Sequence, residues 1–225
     1  IGGESLEVDL QKADNEGRLF GILNASNYGN IRVAETGLLY RNTVKALFRW
    51  LQDTSKKYKA DFLAHTGEKI MQYVGNRPKF IVSSVARLTE QKFYFLKRSP
   101  EAFEKMLARL NEIEGIFMLL GTGDPDYEEF FREMSYKHKN FVFTNGQSED
   151  LIDSMYLETD LYFMPSLFEP CGISQMLAMR NGNPCLVHHT GGLKDTVEHM
   201  KTGFAFAGET YDEQIKNMVT RFDEA

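Results

Sequence analysis

The sequence predicts an α/β fold, a Rossmann-like doubly wound parallel sheet with helices on both faces, and two observations point to it. Short apolar runs rich in β-branched residues alternate with longer stretches of helical periodicity, the order expected of strands joined by crossover helices. The chain also has 225 residues, 42% hydrophobic and 26% charged, enough for one full core and too little for two ordinary domains with linkers. One domain over 1–225 is therefore expected, with roughly 1–18 as a weakly patterned lead-in. Beginning on Ile1 and stopping at Ala225 inside an apparently helical stretch, the sequence reads as a fragment of a longer protein.

In chain order, strands are expected at Leu19–Leu23, Phe80–Val85, Ile116–Leu120, Phe141–Thr144, Asp160–Met164, Pro184–Val187 and Phe204–Phe206. Helices are expected at Thr43–Tyr58, Pro100–Ile113, Asp126–Lys137, Glu149–Tyr156, Ile173–Arg180, Gly192–His199 and Tyr211–Phe222. The segment Asp61–Pro78 mixes apolar and charged residues without a clear strand. In such a sheet a ligand binds outside the carboxyl ends of the strands, so function is sought just after each of them.

A net charge of −6 and a pI near 5.5 give no general footprint for nucleic acid or an anionic membrane, so any phosphate-binding site must be local. No apolar run approaches the roughly 20 residues that cross a bilayer, and the first residues lack the order of a signal peptide. A cytoplasmic protein is expected. The two cysteines, Cys171 and Cys185, have the spacing of neither a zinc site nor a disulfide framework and read as reduced thiols.

Four segments carry chemistry. In Arg87-Leu-Thr-Glu-Gln-Lys92, read as a strand-to-helix loop, two cations can converge on a diphosphate, the arginine through its planar fork and the lysine as a point charge. Ordinary surface charges are the competing reading. In Leu120-Gly-Thr-Gly-Asp124, Gly121 lets backbone approach a ligand closely, or simply serves the chain reversal. The run Met164-Pro-Ser-Leu-Phe-Glu-Pro-Cys-Gly-Ile-Ser-Gln175 presents Glu169 just before a helix that begins near Gly172, whose unpaired N–H groups suit phosphate oxygens. There the alternative is that Glu169 merely caps the helix and Cys171 fills core. In His188-His-Thr-Gly-Gly-Leu-Lys-Asp-Thr196, Gly191 and Gly192 again offer backbone N–H groups. The paired histidines point to opposite faces of an extended segment and have no third ligand at useful spacing, so no metal is expected there.

Taken in order, these segments resemble the donor-binding domain of bacterial and plant starch/glycogen synthases, retaining glycosyltransferases of the GT-B class. The resemblance begins at Gly17-Arg-Leu-Phe-Gly-Ile-Leu-Asn24, passes through Arg87 to Lys92 and Leu120 to Asp126, and peaks over Pro165 to Phe206. In that last stretch Phe168-Glu-Pro-Cys-Gly-Ile-Ser-Gln175, Thr190-Gly-Gly-Leu-Lys-Asp-Thr-Val197 and Thr202-Gly-Phe-Ala-Phe206 are similar to the family pattern almost position for position.

The resemblance implies transfer of glucose from a nucleotide diphosphate glucose, usually ADP-glucose in bacteria and otherwise UDP-glucose, to the non-reducing end of an α-1,4-glucan with retention. It implies that Arg87 and Lys92 hold the diphosphate without any metal or other cofactor, and that Glu169 binds the transferred glucose. Cys171 and the backbone around Gly172, Ile173 and Ser174 would meet sugar or phosphate, with Gly121, Gly191 and Gly192 shaping the pocket and Gln147, in Asn145-Gly-Gln-Ser148, near the adenine. The expected partners are the nucleotide sugar, the α-glucan and an N-terminal acceptor domain with a Lys-x-Gly-Gly loop, which this sequence does not contain, so the chain alone is expected to be inactive in transfer.

Three features depart from wider patterns. Leu177 stands eight positions after Glu169, where many retaining GT-B enzymes have a second glutamate, as in the bacterial synthase branch. Phe93-Tyr-Phe95 follows Lys92 where the family usually has glycine, and Val33–Asn76 shows little of the family's sequence. The alternatives are a GT-B enzyme with a sucrose- or trehalose-type acceptor and a non-catalytic nucleotide-sugar-binding module.

Overall fold

Six apolar runs form one sheet: β1 (Phe80–Val85), β2 (Gly115–Leu120), β3 (Phe141–Thr144), β4 (Leu161–Met164), β5 (Cys185–His188) and β6 (Gly203–Phe206). Every neighbouring pair is parallel, in the order β3-β2-β1-β4-β5-β6. The computed structural model of the chain describes residues 6–21, 24–26, 37–53 and 59–225. Among these the helices are α1 (Glu7–Asn15), α2 (Leu38–Gln52), α3 (Ala60–Met71), α4 (Glu90–Arg98), α5 (Pro100–Glu112), α6 (Pro125–Lys137), α7 (Glu149–Glu158), α8 (Ser174–Arg180), α9 (Leu193–Thr196) and α10 (Tyr211–Glu224).

Both faces of the sheet are covered, which is why its strands read as continuous apolar runs. Because side chains alternate across a strand, Val82, Phe117, Phe141, Phe163 and Leu186 enter one core with α4, α5, α6 and α10. Ile81, Ile116, Met118 and Val142 enter the opposite core with α2 and α7, and Tyr162, Cys185 and Val187 continue that face beneath α8 and α9. Pro100 and Pro125 open α5 and α6 at a position where a missing N–H costs nothing. A reciprocal pair, Thr210 and Glu213, caps α10.

The strand boundaries predicted between Phe80 and Phe206 agree with the observed ones to within one residue at each end. Other expectations are corrected. Residues 19–21 form no strand: Leu19 and Phe20 are exposed and pair with no strand among the described residues, while 22–23 lie outside them. The lead-in contains a helix, α1, with no buried residue, so its weak patterning follows from the absence of an apolar face packed on a core.

The helix expected at Thr43–Tyr58 starts earlier, at Leu38, and ends at Gln52, with 54–58 outside the described residues. Its start is set from a distance, since the Glu158 carboxylate accepts a hydrogen bond from Leu39 N at 2.6 Å. Ala60–Met71 is helical although its pattern is mixed. One of its charges, Lys69, is buried and donates to the carbonyls of Ser135 and His138 at the carboxyl end of α6 and of Phe141 at the start of β3. Burial lowers that lysine's pKa to about 8. The Gly192–His199 helix shrinks to the single turn α9.

Among the described residues, no helix is long and apolar enough to cross a membrane.

Candidate functional site

Strand order reverses between β1 and β4: the chain moves outward from β1 to β2 and β3, then returns to β4 and moves the other way. Loops leaving the carboxyl ends of β1 and β4 therefore diverge and leave a crevice. A cavity of about 230 Å³ lies there, lined by Ser84, Arg87, Lys92, Tyr162, Ser166 and Ser174, among others. A larger hollow, about 570 Å³, lies around Pro184, Met200 and Phe204 near the amino ends of β5 and β6, with Lys201 as the charged residue of its lining. The smaller one holds the convergent chemistry.

Arg87 projects from the loop after β1 because its neighbours are pinned. Leu88 is fully buried, its N–H donates to Thr122 O at 3.0 Å, and its carbonyl accepts from Asp124 N at 2.7 Å. That loop-on-loop contact explains the two glycines after β2. A Cβ on Gly121 would stand 2.1 Å from Ala86 O, and one on Gly123 would stand 2.2 Å from Leu88 O. Gly121 thus approaches protein backbone and does not line the cavity. Arg87 itself is exposed at the cavity edge and has no ion-pair partner among the described residues.

Lys92 is not in a loop, as expected from the sequence, but in the first turn of α4, after the extended cap residue Thr89. Phe93, where the family usually has glycine, lies at a kink with φ −130° and ψ 23°. This backbone has negative φ, so it needs no glycine. The Phe93 side chain is buried edge-on to Phe131, with ring centroids 5.1 Å apart.

Glu169 comes from the long loop after β4 and reaches back to Lys92, forming an ion pair in which both side chains are mostly buried. Ser166 Oγ also donates to the Glu169 carboxylate, at 3.3 Å. Two bonds to Gln91 hold this loop: Leu167 N donates to Gln91 O at 2.7 Å, and Gln91 Nε2 donates to Phe168 O at 2.9 Å.

On the other side the loop after β5 lies against it. Gly191 has φ +47°, and a Cβ there would fall 2.0 Å from Glu169 O. Gly192 N donates to that carbonyl at 2.7 Å, and a Cβ on Gly192 would fall 2.5 Å from Cys171 Cα. Gly191 is therefore required for packing against the backbone of Glu169, and Gly192 for packing against that of Cys171.

The turn from Cys171 to Ser174 leads into α8. Gly172 takes φ +76°, Ile173 is exposed, and Ser174 is the first helical residue, one later than expected. Ser174 lines the cavity, as does Tyr162, whose ring packs on that of Tyr156 with centroids 5.3 Å apart. The Tyr162 hydroxyl donates to Val85 O at 3.0 Å and ties the end of β1 to β4.

Cys171 is partly exposed, with Asn24 Nδ2 donating to its sulfur at 3.2 Å. Cys185 is buried in the strand, and burial pushes its thiol up to about 12. No described group of three or more His, Cys, Asp or Glu residues is arranged to hold a metal ion. His188 is buried and His189 exposed, on opposite faces as the extended segment predicts.

Gln147 stands apart, exposed in the loop after β3. Its carbonyl accepts from Trp50 Nε1 at 3.2 Å, and the Trp50 ring fills the place of a side chain on Gly146. The structure thus gathers Arg87, Lys92 and Ser174 in the cavity lining, with Glu169 joined to it through Lys92. Gly191 and Gly192 pack on the backbone of Glu169 and Cys171 behind it, Gly172 lies in the turn before α8, and Gly121 and Gln147 lie outside the lining. Ser166, Gln91 and His188 were missed by the sequence reading. Ser166 and His188 lie inside segments already singled out, but nothing local marks which of their atoms meet.

The family described as glycosyl transferases group 1 matches residues 67–222. The glycogen synthase of Lachnospira eligens is 32% identical over 220 residues, covering 95% of this chain and 43% of that protein. That of Fusobacterium nucleatum is 40% identical over 146 residues, covering 61% of this chain and 30% of that protein. The chain thus spans less than half the length of the curated relatives it matches.

Among solved structures, the catalytic domain of starch synthase IV from Arabidopsis thaliana bound to ADP and acarbose superposes with a TM-score of 0.62 at 24% identity. It covers 100% of this chain and 45% of that one. The pneumococcal O-GlcNAc transferase GtfA in complex with UDP and GlcNAc gives 0.53 at 18% identity, over 67% of this chain and 29% of that one. These two likenesses carry the fold.

Proposed function

We propose, from the premise that the chain belongs to the glycosyl transferases group 1 family, that it is the donor-binding half of a retaining glucosyltransferase of the glycogen/starch synthase type. In this reading it holds ADP-glucose for transfer to the non-reducing end of an α-1,4-glucan. The observation that carries this reading is the contact between Lys92 and Glu169 at the switch-point crevice, with Arg87 exposed at its edge and unpaired among the described residues. A diphosphate needs cations and the sugar hydroxyls need a carboxylate, and the fold places both kinds of group side by side.

In this reading Arg87 and Lys92 bind the diphosphate and neutralise the charge that builds as it leaves. Each such preorganised donor is worth about 2 to 4 kcal/mol in the transition state. Glu169 binds the hydroxyls of the transferred glucose once Lys92 turns to phosphate. The N–H groups at the start of α8 and the Ser174 hydroxyl add donors on the same side. No metal ion is invoked, since the two side chains supply the positive charge.

Glucan binding belongs to an N-terminal acceptor domain, and transfer to the cleft between the halves. Cytoplasm is the compartment this chemistry implies. The ADP preference is part of this reading; the starch synthase structure that the chain resembles in fold was bound to ADP. The test is to incubate the chain with ADP-glucose and a maltooligosaccharide. Binding of ADP-glucose without chain elongation is expected, and vigorous elongation by the chain alone contradicts the division of labour.

A further inference from the structure

We infer that His188 is a positioning residue for Glu169: its buried imidazole pins the Ser166–Glu169 segment by a hydrogen bond to Ser166 O, and so fixes the carboxylate that meets the sugar. This deepens the donor-binding reading and rests on it.

His188 Nδ1 lies 2.9 Å from Ser166 O. A carbonyl can only accept, so Nδ1 carries the proton. The ring cannot swing away, because it stacks on Phe206, with centroids 5.1 Å apart, and stands edge-on to Phe95 at 5.0 Å. Only 7% of the residue is exposed. Burial lowers the histidine's pKa, which keeps the ring neutral near pH 7.

The residue it holds, Ser166, is fully buried and passes the constraint on, because its hydroxyl donates to the Glu169 carboxylate. Gln91 grips the next two residues from α4, through Leu167 N and Phe168 O. The loop is thus clamped from both sides, by α4 and by the end of β5, with prolines 165 and 170 at its ends. A carboxylate that must meet sugar hydroxyls at hydrogen-bond distance needs such support, since small displacements of a binding group cost much of its contribution.

The test uses His188→Phe, which keeps the aromatic packing and loses the donor, and His188→Asn, whose amide nitrogen stands near Nδ1. Amide exchange is followed at Leu167, whose N–H is bonded to Gln91 O, and binding of ADP and of ADP-glucose is titrated on the same proteins. In His188→Phe, exchange at Leu167 should quicken, and the extra affinity of ADP-glucose over ADP should fall about fivefold, the scale of one lost hydrogen bond. Affinity for ADP itself should hold, and His188→Asn should restore both readouts.

Unchanged exchange at Leu167, or equal losses for ADP and ADP-glucose, overturns the positioning role. If the wild-type chain binds neither nucleotide, the donor-binding reading falls. The exchange result and its rescue then decide alone whether His188 holds the loop.

Discussion

The Lys92 ammonium is paired with the Glu169 carboxylate across the crevice between α4 and the loop after β4, so the two groups assigned to diphosphate and to sugar satisfy each other when the site holds no donor. Donor binding must exchange this pair for two new sets of contacts. Glu169→Gln removes the competition for Lys92, and ADP should bind at least about tenfold more tightly, the scale of one charge-assisted contact. Lys92→Met leaves a mostly buried carboxylate without its cation and should cost about 3 kcal/mol of stability. Calorimetric titration and urea unfolding read the two effects. Weaker ADP binding by Glu169→Gln contradicts the competition.

Gly191→Ala tests the packing of the loop after β5 against Glu169. The added methyl would stand 2.0 Å from Glu169 O, on a backbone with φ +47°. One loop has to move, and a loss of about 2 kcal/mol or more is expected. A melting temperature equal to that of the wild type would show that the contact is slack.

Stability should fall as the pH drops below about 6.5. Burial lowers the pKa values of His188 and His138, so the unfolded chain takes up protons there that the folded chain refuses. Their contribution is present above the unfolded value, near 6.5, and is lost as the pH falls through the folded values. Glu158, whose carboxyl is raised by burial, acts in the opposite sense: its contribution grows as the pH falls through its folded value, above 4.5, and is complete near its unfolded value of 4.5. Urea midpoints at pH 7 and pH 5 should differ, and by less in His188→Phe. An identical pH dependence in that variant would remove His188 as a cause.

Trp50, the single tryptophan, reports on the base. Its indole donates to Gln147 O and its ring packs on Gly146. If the adenine sits near Gln147, ADP changes Trp50 emission with the same midpoint that calorimetry gives. Silent emission at saturating ADP moves the base elsewhere.

How much of this was legible follows from what each element depends on. β1 and β3 match their predicted bounds because a strand buried on both faces is a continuous apolar run, read without knowing its neighbours. Glu169 stood out because a carboxylate before a helix start is a local feature. α3 was not legible: Lys69 looks like a surface charge until the carboxyl end of α6 is known to lie against it. The start of α2 depends on Glu158, far along the chain.

Gly121 is a different case. Its place after a strand allowed either ligand approach or a chain reversal, and what a Cβ there would meet is the backbone of Ala86, brought there by the neighbouring strand. Glycine reports that something comes close and not what. Ser166, Gln91 and His188 matter only through contacts between three separate segments, and no spacing records those.

The most direct test of donor binding is calorimetric titration of the chain with ADP and with UDP, in the presence of a metal chelator, repeated on Arg87→Ala. Arg87 is exposed and unpaired among the described residues, so its loss should leave folding unchanged. ADP should bind without metal and more tightly than UDP, and Arg87→Ala should weaken it by about 10-fold or more. Undiminished ADP binding by Arg87→Ala, or binding that vanishes with the chelator, would contradict a diphosphate site built from Arg87 and Lys92.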